Sequence, residues 1–403
     1  ADIDRYHVGL PTLDIITIGA GGGSIGWVNN GGLLQMGPKS AGSLPGPISY
    51  DRGGKKPTCT DADLILGYLD PNFFAGGKYL LKKDKTIDET GKILGKKLDI
   101  SAQEAAAGMY RVINMNMAQG VRQVSVERGY DPREFLMICA GGAGSIHAGE
   151  ICRELEIPMF VVPGVAPIFC AAGMLLGDLK HDYVRSYLSK LSGIKKTKFL
   201  SLFDEMKAEA VQTLITEGIN EDKIQYIPSL DLRYVGQYHE VPLEVSIEDI
   251  YNFDLEAIKE AFHVEHNRQF GYELKDEGTE LEVINIRFRA IGITEKPHSL
   301  SGNVEQGAKT LDEALKGRRL AYIPERDKMQ EVPVYNGDIL VGNFKISGPA
   351  IIEQVNTTVF LGESYNCETG IGGAFIVYNN ILMPNGFKSK SQIHEKEVQY
   401  GIN

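Results

Sequence analysis

No apolar run in this 403-residue sequence reaches the roughly 18 residues needed to cross a bilayer, so no spanning helix is expected and a membrane is not an expected partner. The opening residues, Ala-Asp-Ile-Asp-Arg-Tyr-His, carry no signal-peptide pattern and no starting Met, so a processed chain or a fragment is expected. There is no basic block. A net charge of −11 repels a phosphate backbone on average, so nucleic acid is not an expected partner either. Cysteine is sparse: Cys59, Cys139, Cys152, Cys170 and Cys367 are odd in number, widely spaced and without a C-x-x-C. That argues against a disulfide framework or a structural zinc site and makes the cytoplasm the natural compartment. What is present, 43% hydrophobic and 24% charged residues, is the composition of a globular protein too long for one ordinary core.

The most informative stretch is 135–157. An apolar run of strand length, 135–140, turns through Gly141, Gly142 and Gly144 and becomes helical, with Ile146, Gly149, Ile151, Cys152 and Leu155 near helical spacing. Strand, glycine turn and helix start present bare backbone N–H groups beside the positive end of a helix, which suits a phosphate or the polar edge of a nucleotide. The plainer reading is a tight turn with no ligand. This stretch has neither the G-x-G-x-x-G spacing nor a following G-K-[ST], so a Rossmann or P-loop reading of it fails.

Around it the chain alternates helix and strand signals. The spacing predicts a short helix after Thr60, with Thr60 as its cap and Asp61 and Asp63 in the first turn. Residues 78–97 read as a charged, solvated segment, and 101–128 as a helix opened by a Ser101–Glu104 capping box and closed at Gly129. Strands are expected over 158–163, 230–235, 241–245 and 283–291, and helices over 169–177, 200–219 and 255–270. From 299 onward, short β runs separated by Gly, Asn and Asp suggest a β-rich unit, with a polar tail from Lys388. The expected domains are 1–185, 186–298 (α+β) and 299–403. The literal Gly22-Gly23-Ser24-Ile25-Gly26 is not taken as a nucleophile elbow, because the following residues read as a strand and hairpin turn instead of a helix. No reactive-cysteine signature appears.

Several phrases occur in a fixed order: Ile18-Gly19-Ala20-Gly21-Gly22-Gly23-Ser24-Ile25, Ser40-Ala41-Gly42, Pro45-Gly46-Pro47, Gly53-Gly54-Lys55-Lys56-Pro57-Thr58-Cys59-Thr60-Asp61-Ala62, Leu179-Lys180-His181-Asp182-Tyr183, Arg233-Tyr234-Val235-Gly236-Gln237, Phe262-His263-Val264-Glu265-His266 and Gly348-Pro349-Ala350-Ile351-Ile352-Glu353. With the turn at Gly141 they resemble the hydantoinase A/oxoprolinase family, which includes ATP-dependent hydantoinases, 5-oxoprolinase and the nucleotide-binding subunits of acetone and acetophenone carboxylases.

The resemblance implies an α/β chain: half of an actin/Hsp70/sugar-kinase-like (ribonuclease H-like) fold, then the α+β unit and the β-rich unit. It implies ATP with Mg2+, the adenosine held at Gly141, Gly142 and Gly144. Gly21, Gly22, Gly23 and Ser24 can form an anion nest near phosphate or substrate. Asp61, in the family's Pro-Thr-x-Thr-Asp-Ala phrase, is the catalytic candidate, as holder of a Mg2+-bound water or as a base; the alternative is a first-turn helix aspartate. His147 lies near the turn but reads as a helix histidine, and His181 with Asp182 as structural. His263 and His266, with Glu265 between, lack a third ligand, so no resident metal site is expected.

Full-length members carry two Asp-x-Gly-Gly-Thr-type phosphate loops, and neither is in this sequence. The expected partners are therefore the missing N-terminal half, a hydantoinase B-type subunit and a small-molecule substrate. The implied activity is phosphorylation of a cyclic amide for ring-opening hydrolysis. Acetone/acetophenone-type carboxylation is the alternative, and a non-catalytic scaffold subunit the second alternative.

Overall fold

The computed structural model describes residues 15–275, 277–297 and 307–383, with the backbone of β1 (Asp2–Ile3) and β2 (Tyr6–His7), an antiparallel pair. Of the apolar run 13–18 only 15–18 is described, outside regular structure, and the polar tail from Lys388 lies outside the described residues. The chain divides into two units: Ala1–Ala172 with Ser299–Asn403, and Gly173–His298.

The first unit opens with a hairpin, β3 (Ser24–Val28) and β4 (Leu34–Ser40), as the sequence around Trp27 predicts. Next comes α1 (Cys59–Ile65), buried along its whole length. Its cap is Thr58 and not Thr60. Thr58 is extended and its hydroxyl accepts from the Asp61 N–H, while the Asp61 carboxylate accepts from the Thr58 N–H, a closed capping box. The segment expected to be solvated is helical: α2 (Lys83–Thr90), a π-type turn over Gly91–Gly95, then α3 (Lys96–Leu98). Thr86, Thr90 and Leu94 are buried in it, which supplies the packing that charge composition alone hides.

The helix α4 (Ala102–Val124) carries the Ser101–Glu104 box and buries Ala105, Met109, Tyr110 and Ile113. Glycine turn and helix then follow as β5 (Met137–Ile138), α5 (Gly144–Glu154), β6 (Met159–Val162) and α6 (Phe169–Leu176). The first of these strands is shorter than its apolar run.

The second unit is α+β. Its elements are β7 (Leu179–Lys190), α7 (Lys196–Thr216), β8 (Ile224–Tyr234), β9 (Val241–Glu244), α8 (Ile247–Asn252), α9 (Leu255–Phe270) and β10 (Leu281–Gly292). The antiparallel sheet runs β7-β10-β8-β9. Phe199, Phe203, Met206, Ala210 and Leu214 form one helical face of α7 and meet Leu230, Leu232, Val283, Ile286 and Phe288 in a single core.

The C-terminal strands are β11 (Leu315–Ile323), β12 (Lys328–Asn336), β13 (Lys345–Ser347), β14 (Ala350–Glu353), β15 (Thr358–Leu361), β16 (Tyr365–Thr369) and β17 (Phe375–Asn379). They do not make a separate domain, which corrects the expected 299–403 unit. The strand β17 pairs with β6, Phe375 opposite Val162, in a sheet ordered β13-β16-β17-β6-β5. The Tyr322 N–H donates to the Leu66 carbonyl. Fully buried on β6, Phe160 and Val162 need a neighbouring strand to take their backbone groups, and the C-terminal segment supplies it. A second sheet runs β11-β12-β14-β15. Among the described residues only β5–β6 and β12–β14 are parallel, so the α/β architecture is mixed.

Candidate functional site

In the first unit, three loops converge on one cavity of about 330 Å³. The first is the glycine turn before β3. The Ser24 hydroxyl accepts from the Gly21 N–H (3.0 Å) and donates to the Gly19 carbonyl (3.3 Å), so Ser24 is buried in holding the turn. The Gly22 carbonyl accepts from the Thr60 N–H (2.9 Å) and from the Thr60 hydroxyl (3.0 Å), which fixes the turn to α1. Gly22 and Gly23 line the cavity; Gly21 and Ser24 do not.

The second loop is the turn into α5. Gly141 has φ +97°, a conformation that favours glycine, and its N–H donates to the Ala166 carbonyl (2.7 Å). Gly142 lines the cavity, and a Cβ there would stand 2.8 Å from the Asn356 carbonyl oxygen. Gly141 and Gly144 shape the turn from behind. The start of α5 has no side-chain cap and no acidic residue in its first turn, and Ala143 and Ile146 face the cavity. The third loop, 353–358, closes the wall. There the Thr357 hydroxyl donates to the Gly142 carbonyl (3.1 Å), and the Ser145 hydroxyl donates to the Thr358 carbonyl (2.7 Å). Nothing in the local sequence of 353–358 marks it as part of a site.

Asp61 does not line the cavity. Its carboxylate is fully buried and accepts from the N–H groups of Ile48 (3.1 Å), Ser49 (2.8 Å) and Thr58 (2.9 Å) and from the Thr58 hydroxyl (2.9 Å). The expectation of a catalytic Asp61 is corrected accordingly: four donors occupy both oxygens, and the group stitches the loop at Ile48 to the start of α1. The cavity carboxylate is instead Asp63, two residues on and therefore on a different side of the helix. Its Oδ1 has no hydrogen-bond partner in the protein.

Two further cavity carboxylates are neutralised. Glu353 pairs with Lys316 (2.6 Å) and Arg319 (2.7 Å), and Asp70 with Arg319 (2.8 Å). Tyr50, also in the lining, has its hydroxyl pKa raised by burial and by the nearby Asp61, so it stays a neutral donor. On the inner side of α5, burial pushes the Glu150 carboxyl up to about 7 against the opposing effect of Arg153, its ion-pair partner.

His147 is buried behind the turn, its Nδ1 2.9 Å from Asn114 Oδ1 and its Nε2 3.4 Å from Cys59 Sγ. His181 pairs with Glu217 (2.8 Å), and Asp182 with Arg289 (2.7 Å). His263 meets the Tyr234 hydroxyl (2.7 Å) and His266 the Tyr272 carbonyl (2.9 Å), so these two rings serve separate structural bonds and do not converge on a common ion.

The family model described as hydantoinase/oxoprolinase matches residues 1–183, and that described as the hydantoinase/oxoprolinase C-terminal domain matches 192–369. The chain belongs to the hydantoinase/oxoprolinase family. Relatives in this family include the caprolactamase subunit alpha of Pseudomonas jessenii, 34% identical across 90% of this chain and 52% of the relative. The acetophenone carboxylase gamma subunit of Aromatoleum aromaticum is 33% identical across 89% of this chain and 50% of the relative.

Among solved structures, an ATP-dependent caprolactamase from Pseudomonas jessenii superposes with a TM-score of 0.69 at 32% identity, covering 94% of this chain and 55% of that one. A nucleotide-free acetone carboxylase superposes with a TM-score of 0.79 at 21% identity, covering 89% and 52%, a likeness of fold. The chain spans about half the length of these family members. Among the described residues no helix is long and apolar enough to cross a membrane.

Proposed function

We propose that this chain forms part of the ATP site of an enzyme that activates a cyclic amide by phosphorylation for ring-opening hydrolysis, with a hydantoinase B-type subunit as its partner. The observation that carries this reading is the convergence of Gly22, Gly23 and Gly142 with the uncapped start of α5 on one cavity. Backbone N–H groups at a glycine turn, backed by the helix dipole, suit the polar edge of a nucleotide. Relatives named caprolactamase and 5-oxoprolinase, and a solved ATP-dependent caprolactamase, support the reaction class.

ATP would supply the phosphoryl group that, on the amide oxygen, makes the amide carbon electrophilic enough for water to attack; the ring C–N bond then breaks with the nitrogen taking a proton, and hydrolysis releases phosphate. The chain's own share is positioning: the Gly142 turn and α5 orient the nucleotide, Thr357 ties that turn to the 353–358 loop, and Thr60 ties the Gly22 turn to α1. For Mg2+, the residues present fit a minor role. The oxygens of Asp70 and Glu353 are paired, which leaves Asp63 Oδ1 as the cavity carboxylate oxygen free to contact a cation held mainly by phosphates. A carboxylase reading is kept because of the acetophenone carboxylase relative and the acetone carboxylase fold.

The test is phosphate release from ATP by the chain together with the polypeptides that co-purify with it. Hydantoin, 5-oxoproline and a lactam are compared with a ketone plus bicarbonate. Stimulation by a cyclic amide is expected. Stimulation by ketone and bicarbonate alone moves the protein to the carboxylases, and no stimulation in a preparation that also fails to bind ATP returns it to a scaffold.

A further inference from the structure

Cys59 and Asp63 stand one turn apart on α1, and both face His147 on α5. Each of the three is only 1% exposed. The three donor atoms form a triangle: Cys59 Sγ to His147 Nε2 is 3.4 Å, His147 Nε2 to Asp63 Oδ2 is 3.6 Å, and Cys59 Sγ to Asp63 Oδ2 is 3.8 Å. A tetrahedral zinc ion bound by one sulfur, one nitrogen and one oxygen has ligand-to-ligand edges of about 3.3–3.6 Å. Each side of the triangle lies within about 0.3 Å of its edge.

Two independent features say that something belongs at its centre. Asn114 Oδ1 sits 2.9 Å from His147 Nδ1, which places a partner for an Nδ1 proton behind the ring and leaves Nε2 as the nitrogen that faces Cys59 and Asp63. Metal-binding histidines are oriented in this way by a second hydrogen bond. In addition, the Asp63 carboxylate is buried with Oδ1 unpartnered, while its Oδ2 meets the Cys59 thiol at 3.8 Å and His147 Nε2 at 3.6 Å, both long contacts. A buried carboxylate is unfavourable unless a positive charge neutralises it, and a cation at the centre of this triangle would do so while meeting all three donors.

We propose that Cys59, Asp63 and His147 bind a zinc ion, with a water as fourth ligand reached from the cavity that Asp63 also lines. A mixed sulfur, nitrogen and oxygen set suits Zn2+ over Mg2+ or Ca2+. Binding replaces the thiol proton, so each Zn2+ taken up releases one proton from Cys59 to solvent. Three protein ligands and an open position are the pattern of a zinc that acidifies its water. The site shares Asp63 with the nucleotide cavity, but the zinc reading does not depend on the nucleotide reading.

The experiment uses the full chain alone, stripped with a chelator and titrated with Co2+, then with competing Zn2+. We expect one metal ion per chain and a thiolate-to-cobalt charge-transfer band that Zn2+ abolishes. Cys59→Ser removes the band, Cys170→Ser leaves it, and Asn114→Ala weakens affinity about tenfold to a hundredfold. The wild-type titration stands even if a variant fails to fold. No band in the folded wild-type chain overturns the site, and so does a band that survives Cys59→Ser. Alkylation of Cys59 at a rate unaffected by Zn2+ also overturns it, and favours a Cys59–His147 nucleophile pair with Asn114 as orienter.

Discussion

Replacing Asp61 by asparagine separates a structural role from a chemical one, because the two carboxylate oxygens are not equivalent. Oδ2 accepts three bonds, from Ile48, Thr58 N–H and the Thr58 hydroxyl, and Oδ1 accepts one, from Ser49. The Asp61→Asn side chain retains the three if its amide oxygen takes the Oδ2 place. Its NH2 group then faces the Ser49 N–H across a 2.8 Å gap, donor against donor, at a fully buried position. Loss of one charge-assisted bond costs about 1.5–3 kcal/mol, and the orphaned N–H about 1–3 kcal/mol more. The expected destabilisation is therefore about 3–5 kcal/mol, or a fall in Tm of about 10 °C for a unit of this size.

Trp27 is the single tryptophan and lies in β3 of the same unit, its Nε1 donating to the Gly37 carbonyl (2.9 Å), so its fluorescence follows this unit alone in urea. A midpoint matching wild type within about 0.5 kcal/mol, with activity lost, would refute the reasoning and return Asp61 to the chemistry.

Other outcomes follow from single contacts. Gly142→Ala places a Cβ 2.8 Å from the Asn356 carbonyl, so the turn must move; ATP affinity should fall at least about tenfold while far-UV circular dichroism is kept, and an unchanged affinity removes the turn from the nucleotide site. Glu150 has a folded pKa raised from 4.5 to about 7 by burial, with Glu325 and Glu154 adding to the rise and Arg153 opposing it. Its protonated form therefore adds stability fully below about pH 4.5, and that share, at most about 3 kcal/mol, is lost as pH rises through about 7. The difference between wild type and Glu150→Gln in urea should slope across that window, and parallel profiles would dismiss the shift. Ser101→Ala removes the hydroxyl that accepts from the Glu104 N–H (3.1 Å) and should cost about 1 kcal/mol by the same assay, with no change at all arguing that α4 needs no cap.

Features that depend on near neighbours were legible in the sequence. The Ser101–Glu104 box, the hairpin after Ser24 and α9 between Asp254 and Gly271 are all set by residues within a few positions. Thr58 and Thr60 are equally good caps on paper, and only the backward reach of the Asp61 carboxylate decides between them. The strand β7 is not legible in the sequence because its residues alternate between half-buried and exposed, without the apolar face that marks a strand. Gly22, Gly23 and Gly142 do reach the cavity, as their composition suggested, but the wall at 353–358 and the partnership of Cys59 with His147 join distant parts of the chain that no local pattern links.

The pairing of β6 with β17 also sets an order of events during synthesis. Val162 leaves the ribosome long before its partner Phe375, by about 10–40 s at ordinary elongation rates. Throughout that interval the buried strand carrying Phe160 and Val162 has an open edge, and the wall that completes the cavity has not been made. The intervening α+β unit waits about half as long and closes first, since its first strand pairs with its last, Leu179 opposite Gly292, before the C-terminal strands are made. A nascent chain therefore carries one finished body and one half-built one. Ligand capture in the cavity can begin only after β17 has been made, and a chaperone acting on this protein should be found on the segment that carries β6.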